Sequence, residues 1–235
     1  MSVKTIMFDL DGTLLPMDQD VFIKEYFTGL AVKLAPYGYE PKQLMDTIYK
    51  GVAAMVMNDG SSKNEDAFWR LFTSVYGEKS REHEPIFRDF YENEFQNVAK
   101  SCGFSKGAKE VIDLCKNKGL RVVLATNPLF PSVATESRMR WAGLDKTDFE
   151  YFTVYENSSY CKPNPKYYLE ILGKIGADPK ECAMVGNDVG EDMVAKDLGM
   201  QVFLLTDNLI NKKGADISVY PNGSFEALKN WIEQL

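Results

Sequence analysis

Histidine is nearly absent: His83 is the only one in 235 residues. That scarcity excludes multi-histidine metal centres and argues against a histidine-based catalytic triad. His83 itself sits in the charged stretch Arg81–Glu84 and reads as a solvated surface residue. The four cysteines, Cys102, Cys115, Cys161 and Cys182, form no Cys-x-x-Cys pair, so no zinc or dithiol motif is present. No apolar run approaches the length of a membrane span, and no membrane partner is expected. No export signal is visible either, because Asp9 and Asp11 interrupt the first apolar stretch, so reduced thiols and a cytoplasmic location are expected. Basic tracts are lacking and the net charge is −7, which makes nucleic acid an unpromising partner. An acidic chain that handles anions needs local positive charge, from a metal ion or a placed lysine.

What is present starts at residues 4–15, KTIMFDLDGTLL. The run Ile6-Met7-Phe8 is short, apolar and closed by a turn signal, as in a buried parallel strand. Asp9 and Asp11 then fall at the carboxyl end of that strand, where open α/β sheets place their sites. Two like charges at about 4 Å repel by roughly 4 kcal/mol at an effective dielectric near 20. A metal ion, a shared proton, or both would relieve that. A calcium loop fits poorly: counted from Asp9, Leu14 stands where its glycine belongs and Asp20 where its glutamate belongs. A plain solvated turn is the remaining simple reading.

The pattern becomes helical after Leu15. Helices are expected over Gln19–Leu34, from Pro41 to about Met57, over Asn64–Tyr76 and from Pro85 to about Ala99, with no strand among them. Most of the aromatics in this block should be helix-packing core. From Phe104 strands and helices alternate. Strands are expected at Leu120–Ala125, Glu150–Val154, Cys182–Val185 and Gln201–Leu205, with a short edge strand at Ile217–Val219. Helices are expected before Gly119, over Ser132–Ala142, from Pro165 to about Lys174, from about Gly190 to Gly199, and over Phe225–Gln234. The fold class that follows is α/β, a parallel Rossmann-like sheet flanked by helices with an inserted α-helical domain.

Each later strand end carries polar residues. Thr126-Asn127 follows the second strand, where a hydroxyl and free backbone donors can hold an anion, although Asn-Pro is also an ordinary turn signal. Lys162 precedes Pro163-Asn164-Pro165, in the loop before a helix; taken alone it would be a solvated surface lysine. Gly186-Asn187-Asp188 ends the fourth strand, and Asp192 lies one turn beyond Asp188, a place where acids also serve as helix caps.

Taken in order, DLDGT, Thr126, Lys162 and GNDVGED resemble the haloacid dehalogenase-like hydrolase superfamily over Val3 to Leu205. The resemblance implies Asp9 as nucleophile, Asp11 as general acid/base, Lys162 as the offset for negative charge, and Thr126 with Asn127 at the phosphoryl group. It also implies Mg²⁺ held through Asp9, Asp11 and Asp188, with Asp192 behind them orienting Lys162 or a metal-bound water. Many members carry an aspartate directly after the glycine, where this chain has Asn187; Asp188 is the expected ligand because a carboxylate offsets the ion's charge better than an amide. The placement of the helical block implies a cap over the site, with residues 17–100 as cap and residues 1–16 and 101–235 as core. The activity implied is hydrolysis of a small phosphorylated metabolite through an aspartyl-phosphate. A phosphomutase or a carbon–halogen hydrolase of the same superfamily, or a phosphate-binding module without catalysis, are the alternatives. Oligomeric state is not readable.

Overall fold

The computed structural model describes residues 2–235. Six parallel strands form one sheet in the order β3-β2-β1-β4-β5-β6. They are β1 (Thr5–Phe8), β2 (Arg121–Leu124), β3 (Tyr151–Phe152), β4 (Cys182–Gly186), β5 (Gln201–Leu205) and β6 (Asn222–Gly223). The order reverses direction at β1, so β1 and β4 flank the switch point whose carboxyl-end crevice is the usual ligand site.

Alternation along the strands feeds two cores. Ile6 and Phe8 of β1 pack with Val122, Leu124, Ala183 and Val185 under α5 (Lys106–Asn117) and α8 (Phe225–Glu233). Met7 points the other way, with Val123, Met184 and Val202, under α7 (Pro165–Ile175). Because both faces are covered, the central strands are continuously apolar rather than alternating.

Between β1 and β2 lies the helical block: α1 (Gln19–Leu34), α2 (Pro41–Val56), α3 (Asn64–Tyr76) and α4 (Glu84–Glu92). Phe22, Tyr26, Leu30 and Leu34 recur every four residues on α1 and bury one stripe against Phe72, Phe87, Phe90 and Phe95. The chain enters and leaves this block side by side. Met17 bridges Cys102 antiparallel, and the Gly103 N–H donates to the Pro16 carbonyl at 2.7 Å. A second attachment is the start of α3. There the Asn64 and Glu65 N–H groups donate to the carbonyls of Ser158 and Tyr155 at 2.9 and 3.0 Å. Ala134 of α6 (Ser132–Trp141) is buried in the block's own cluster, which seats the block on the sheet domain.

Three expectations are corrected. Ile217–Val219 is a single 3₁₀ turn, because the Asp216 carboxylate accepts the Ser218 N–H and curls the chain; the edge strand is Asn222–Gly223 instead. The stretch after Gly190 forms only 3₁₀ turns over Met193–Leu198. Its first N–H groups are taken by the Asp188 carboxylate rather than by a helical ladder. The fourth helix stops at Glu92, where the Asn93 side chain donates to the Asp89 carbonyl and carboxylate; a 3₁₀ segment continues to Ser101. No helix among the described residues is long and apolar enough to cross a membrane.

Candidate active site

Asp9 follows directly on β1, its N–H still bonded to the Val185 carbonyl of β4 at 2.9 Å. That bond fixes the Asp9 side chain at the sheet's carboxyl edge. Its Oδ1 accepts from Lys162 Nζ at 2.8 Å, and Oδ2 lies 3.0 Å from the Thr13 hydroxyl. The same hydroxyl is 2.9 Å from Asn187 Oδ1, so Thr13 ties the β1 loop to the β4 loop. The loop itself is a tight turn, with Gly12 at φ +85°. A Cβ there would stand 2.3 Å from Asn187 Nδ2, so both backbone conformation and space require glycine.

Lys162 is 1% exposed, held between Asp9 and Asp192, whose Oδ1 it reaches at 2.6 Å. Burial alone would lower the lysine's pKa; the Asp192 and Asp9 charges outweigh it and hold the ammonium well above its ordinary range. Burial pushes Asp192 up, Lys162 opposing and Asp9 adding. Asp192 Oδ2 also accepts the Asp188 N–H at 3.0 Å. Gly186 makes that approach possible: a Cβ on it would lie 2.1 Å from Asp192 Oδ2.

Asp11 is paired with the guanidinium of Arg138, which reaches it from α6. Arg138 is buried, stacked over the Phe130 ring with 4.5 Å from Cζ to the centroid, and also donates to Thr135. Burial raises the Asp11 pKa above its ordinary value; Arg138 pulls the other way and Asp9 adds to the rise. Asp11 Oδ1 is buried with no hydrogen-bond partner.

Asp188 Oδ1 accepts the N–H groups of Gly190 and Glu191 at 2.7 and 3.1 Å. Asn187 Nδ2 donates to the Asn208 carbonyl at 2.7 Å. Asn127 Nδ2 donates to Glu191 Oε2 at 3.0 Å, while Asn127 Oδ1 is buried and unpartnered. The Thr126 carbonyl is held by the hydroxyls of Thr153 and Tyr167 at 2.6 and 2.8 Å. Asp9, Asp11, Thr126, Asn127, Asp188 and Asp192 all line one cavity of about 230 Å³. Lys162 stands behind its wall, touching Asp9 and Asp192.

A haloacid dehalogenase-like hydrolase family model matches residues 3–199. The chain belongs to that family. As a haloacid dehalogenase-like hydrolase it is an enzyme, and several of its relatives carry phosphatase names. It is 25% identical to glyceraldehyde 3-phosphate phosphatase of Methanothermobacter thermautotrophicus, over 92% of this chain and 95% of that one. Among solved structures, a HAD phosphatase from Thermococcus onnurineus matches with TM-score 0.56 and 17% identity over 98% of each chain. A Bacillus subtilis HAD-hydrolase bound to magnesium matches with TM-score 0.56 and 16% identity over 99% of each chain. These two likenesses speak for the fold.

In this haloacid dehalogenase-like hydrolase the structure adds residues that sequence reasoning missed: Arg138, Thr13, Asn187 as a partner of Thr13, and Glu191. Arg138 had a readable signal. It stands between Ala134 and Ala142 at helical spacing of four, an arginine on an apolar stripe. Such a residue needs a buried acid. Glu191 had none, since an acid in a charged turn looks solvated.

Proposed function

We propose that this chain is a Mg²⁺-dependent phosphatase, acting on a small phosphorylated metabolite through an aspartyl-phosphate on Asp9. The observation that carries the reading is the Asp9 carboxylate, held at the switch point by Lys162 and Thr13 and opening into the cavity that Asp11 shares. The phosphatase names among the relatives support the same reaction class.

The donor chemistry fits magnesium. Asp9, Asp11 and Asp188 offer only hard oxygen, and Oδ1 of Asp11, the oxygen facing away from its hydrogen bond with Arg138, is buried without a partner. Among the described residues no three acidic, histidine or cysteine side chains are grouped closely enough to hold an ion by themselves, so water would have to complete the shell of a Mg²⁺ bound here. When bound, Mg²⁺ supplies the positive charge that lets two anions approach.

The rest follows from the chain's own groups. A carboxylate oxygen of Asp9 attacks phosphorus, and the bond from phosphorus to the alcohol oxygen breaks. Lys162 offsets charge on Asp9 and the phosphoryl oxygens. Asp11, whose pKa burial raises, gives its proton to the departing alkoxide. It then takes a proton from water, whose oxygen attacks phosphorus, releasing phosphate and restoring the Asp9 carboxylate. Thr126 and Asn127 hold the phosphoryl group from the β2 side. Asp192 keeps Lys162 in place.

Residues 17–100 form the cap on this reading and residues 1–16 and 101–235 the core, with the side-by-side segments at Pro16–Met17 and Ser101–Gly103, joined by the Met17–Cys102 bridge, as hinge. Closure would exclude bulk water during transfer. All four cysteines are free, which supports a reducing, cytoplasmic setting.

The test is phosphate release from a panel of phosphomonoesters by the purified protein, with Mg²⁺ and with excess chelator. Release that needs Mg²⁺ is expected; full activity in chelator would overturn the metal assignment.

A further inference from the structure

Beside the polar cavity lies a second one, of about 180 Å³, between the helical block and the loop after β2. The two adjoin: Phe22, Ile23, Leu129 and Phe130 line both. No side chain lining the second cavity is charged. Its most buried hydroxyls, on Tyr26 and Tyr91, are bonded to each other at 2.8 Å. The indole N–H of Trp69 is buried and makes no hydrogen bond, although the Tyr155 hydroxyl lies near it. Resting on the phosphatase reading, we propose that this cavity takes the alcohol portion of the substrate, and that this portion is an apolar group of about one aromatic ring rather than a sugar or other polyol.

Size, lining and position carry the assignment. A dry apolar cavity of about 150 Å³ suffices to bind benzene. On this proposal a group attached to a phosphorus at Asp9 would pass between Phe22 and Phe130, the shared boundary, into a chamber walled by Phe68 and Trp69. A polyol there would lose water from several hydroxyls and find few free partners, a strong penalty. An aromatic ring would meet ring edges and faces, and a single acceptor on it could take the Trp69 N–H.

The experiment compares kcat/KM for benzyl phosphate and glucose 6-phosphate, both esters of primary alcohols, at saturating Mg²⁺. Binding of benzyl alcohol, the neutral probe, is measured alongside by calorimetry. Benzyl phosphate should be favoured by at least about tenfold, the least expected from burying a ring. Val52→Asp places a charge in the apolar cavity without lining the polar one, and should bring the ratio near one and abolish benzyl alcohol binding. Tyr49→Asp, at a half-exposed position of the same wall, serves if Val52→Asp does not fold. Equal turnover of the two esters, faster turnover of the sugar ester, or no binding of the alcohol overturns the cavity assignment and leaves the phosphatase reading standing. If neither these esters nor any of the phosphomonoester panel is cleaved but benzyl alcohol binds wild type and not the variant, the phosphatase reading fails and the cavity's preference for an apolar ring survives.

Discussion

Replacing Lys162 with methionine removes the cation that stands between two buried carboxylates. In the native protein its ammonium lies 2.8 Å from Asp9 and 2.6 Å from Asp192, and all three side chains are about nine-tenths buried or more. Methionine fills similar volume, so the cost is electrostatic rather than a void. Removing one partner of a buried ion pair costs about 3–5 kcal/mol, because the other charge is left uncompensated. For a chain this long each kcal/mol shifts Tm by about 2–4 °C, so Lys162→Met should melt roughly 6–20 °C below wild type. Thermal unfolding followed by circular dichroism at neutral pH measures it. Adding Asp192→Asn discharges one stranded acid while an amide oxygen can still accept the Asp188 N–H. The double variant should therefore regain a substantial part of the lost Tm. It should not regain turnover, because Asp9 still lacks its cation. A single variant within about 2 °C of wild type, or a double variant less stable than the single, would refute the coupling of these three groups.

Arg138→Met should lower kcat on alkyl phosphates by at least about tenfold while Mg²⁺ affinity changes less, because Asp11 loses the group that positions it; steady-state kinetics across Mg²⁺ concentrations checks this. For the ambiguous β4 loop, Asp188→Ala should weaken the Mg²⁺ activation midpoint more than Asn187→Ala does, and the reverse order would move the ligand to Asn187. Glu156 caps the start of α6 through the Ser132 N–H, and burial raises its pKa. A raised folded-state pKa means stability that is present at low pH and lost as pH rises through that pKa. Glu156→Gln, neutral throughout, should thus gain in Tm over wild type at pH 8 compared with pH 4, as paired melts would show.

The parts of the fold written in local chemistry were legible beforehand. Gln19–Leu34, Asn64–Tyr76 and Gln201–Leu205 have the bounds their periodicity and caps imply. The misreadings share a cause: a short polar side chain captured backbone groups that a regular element would have used. Asp216 did so at Ile217–Val219, Asp188 after Gly190, and Asn93 at the end of α4. The strand ends flagged by DLDGT and GND do meet, but what joins them is partly invisible in a linear pattern. Thr13 touches Asn187 across 174 residues, and Arg138 touches Asp11 across 127. Contacts at such separations follow from strand order, which residue spacing alone does not encode. The apolar cavity was likewise hidden, since the aromatics that line it look the same as those that pack helices.

The central claim is that Asp9 becomes covalently phosphorylated. Mixing the protein with a ³²P-labelled phosphomonoester and Mg²⁺, quenching in acid and mapping the labelled peptide tests it directly. Label on the peptide carrying Asp9, released by hydroxylamine and absent in a folded Asp9→Asn variant, is the predicted result. Steady turnover with no protein-bound label at any quench time, or undiminished turnover by Asp9→Asn, would contradict it.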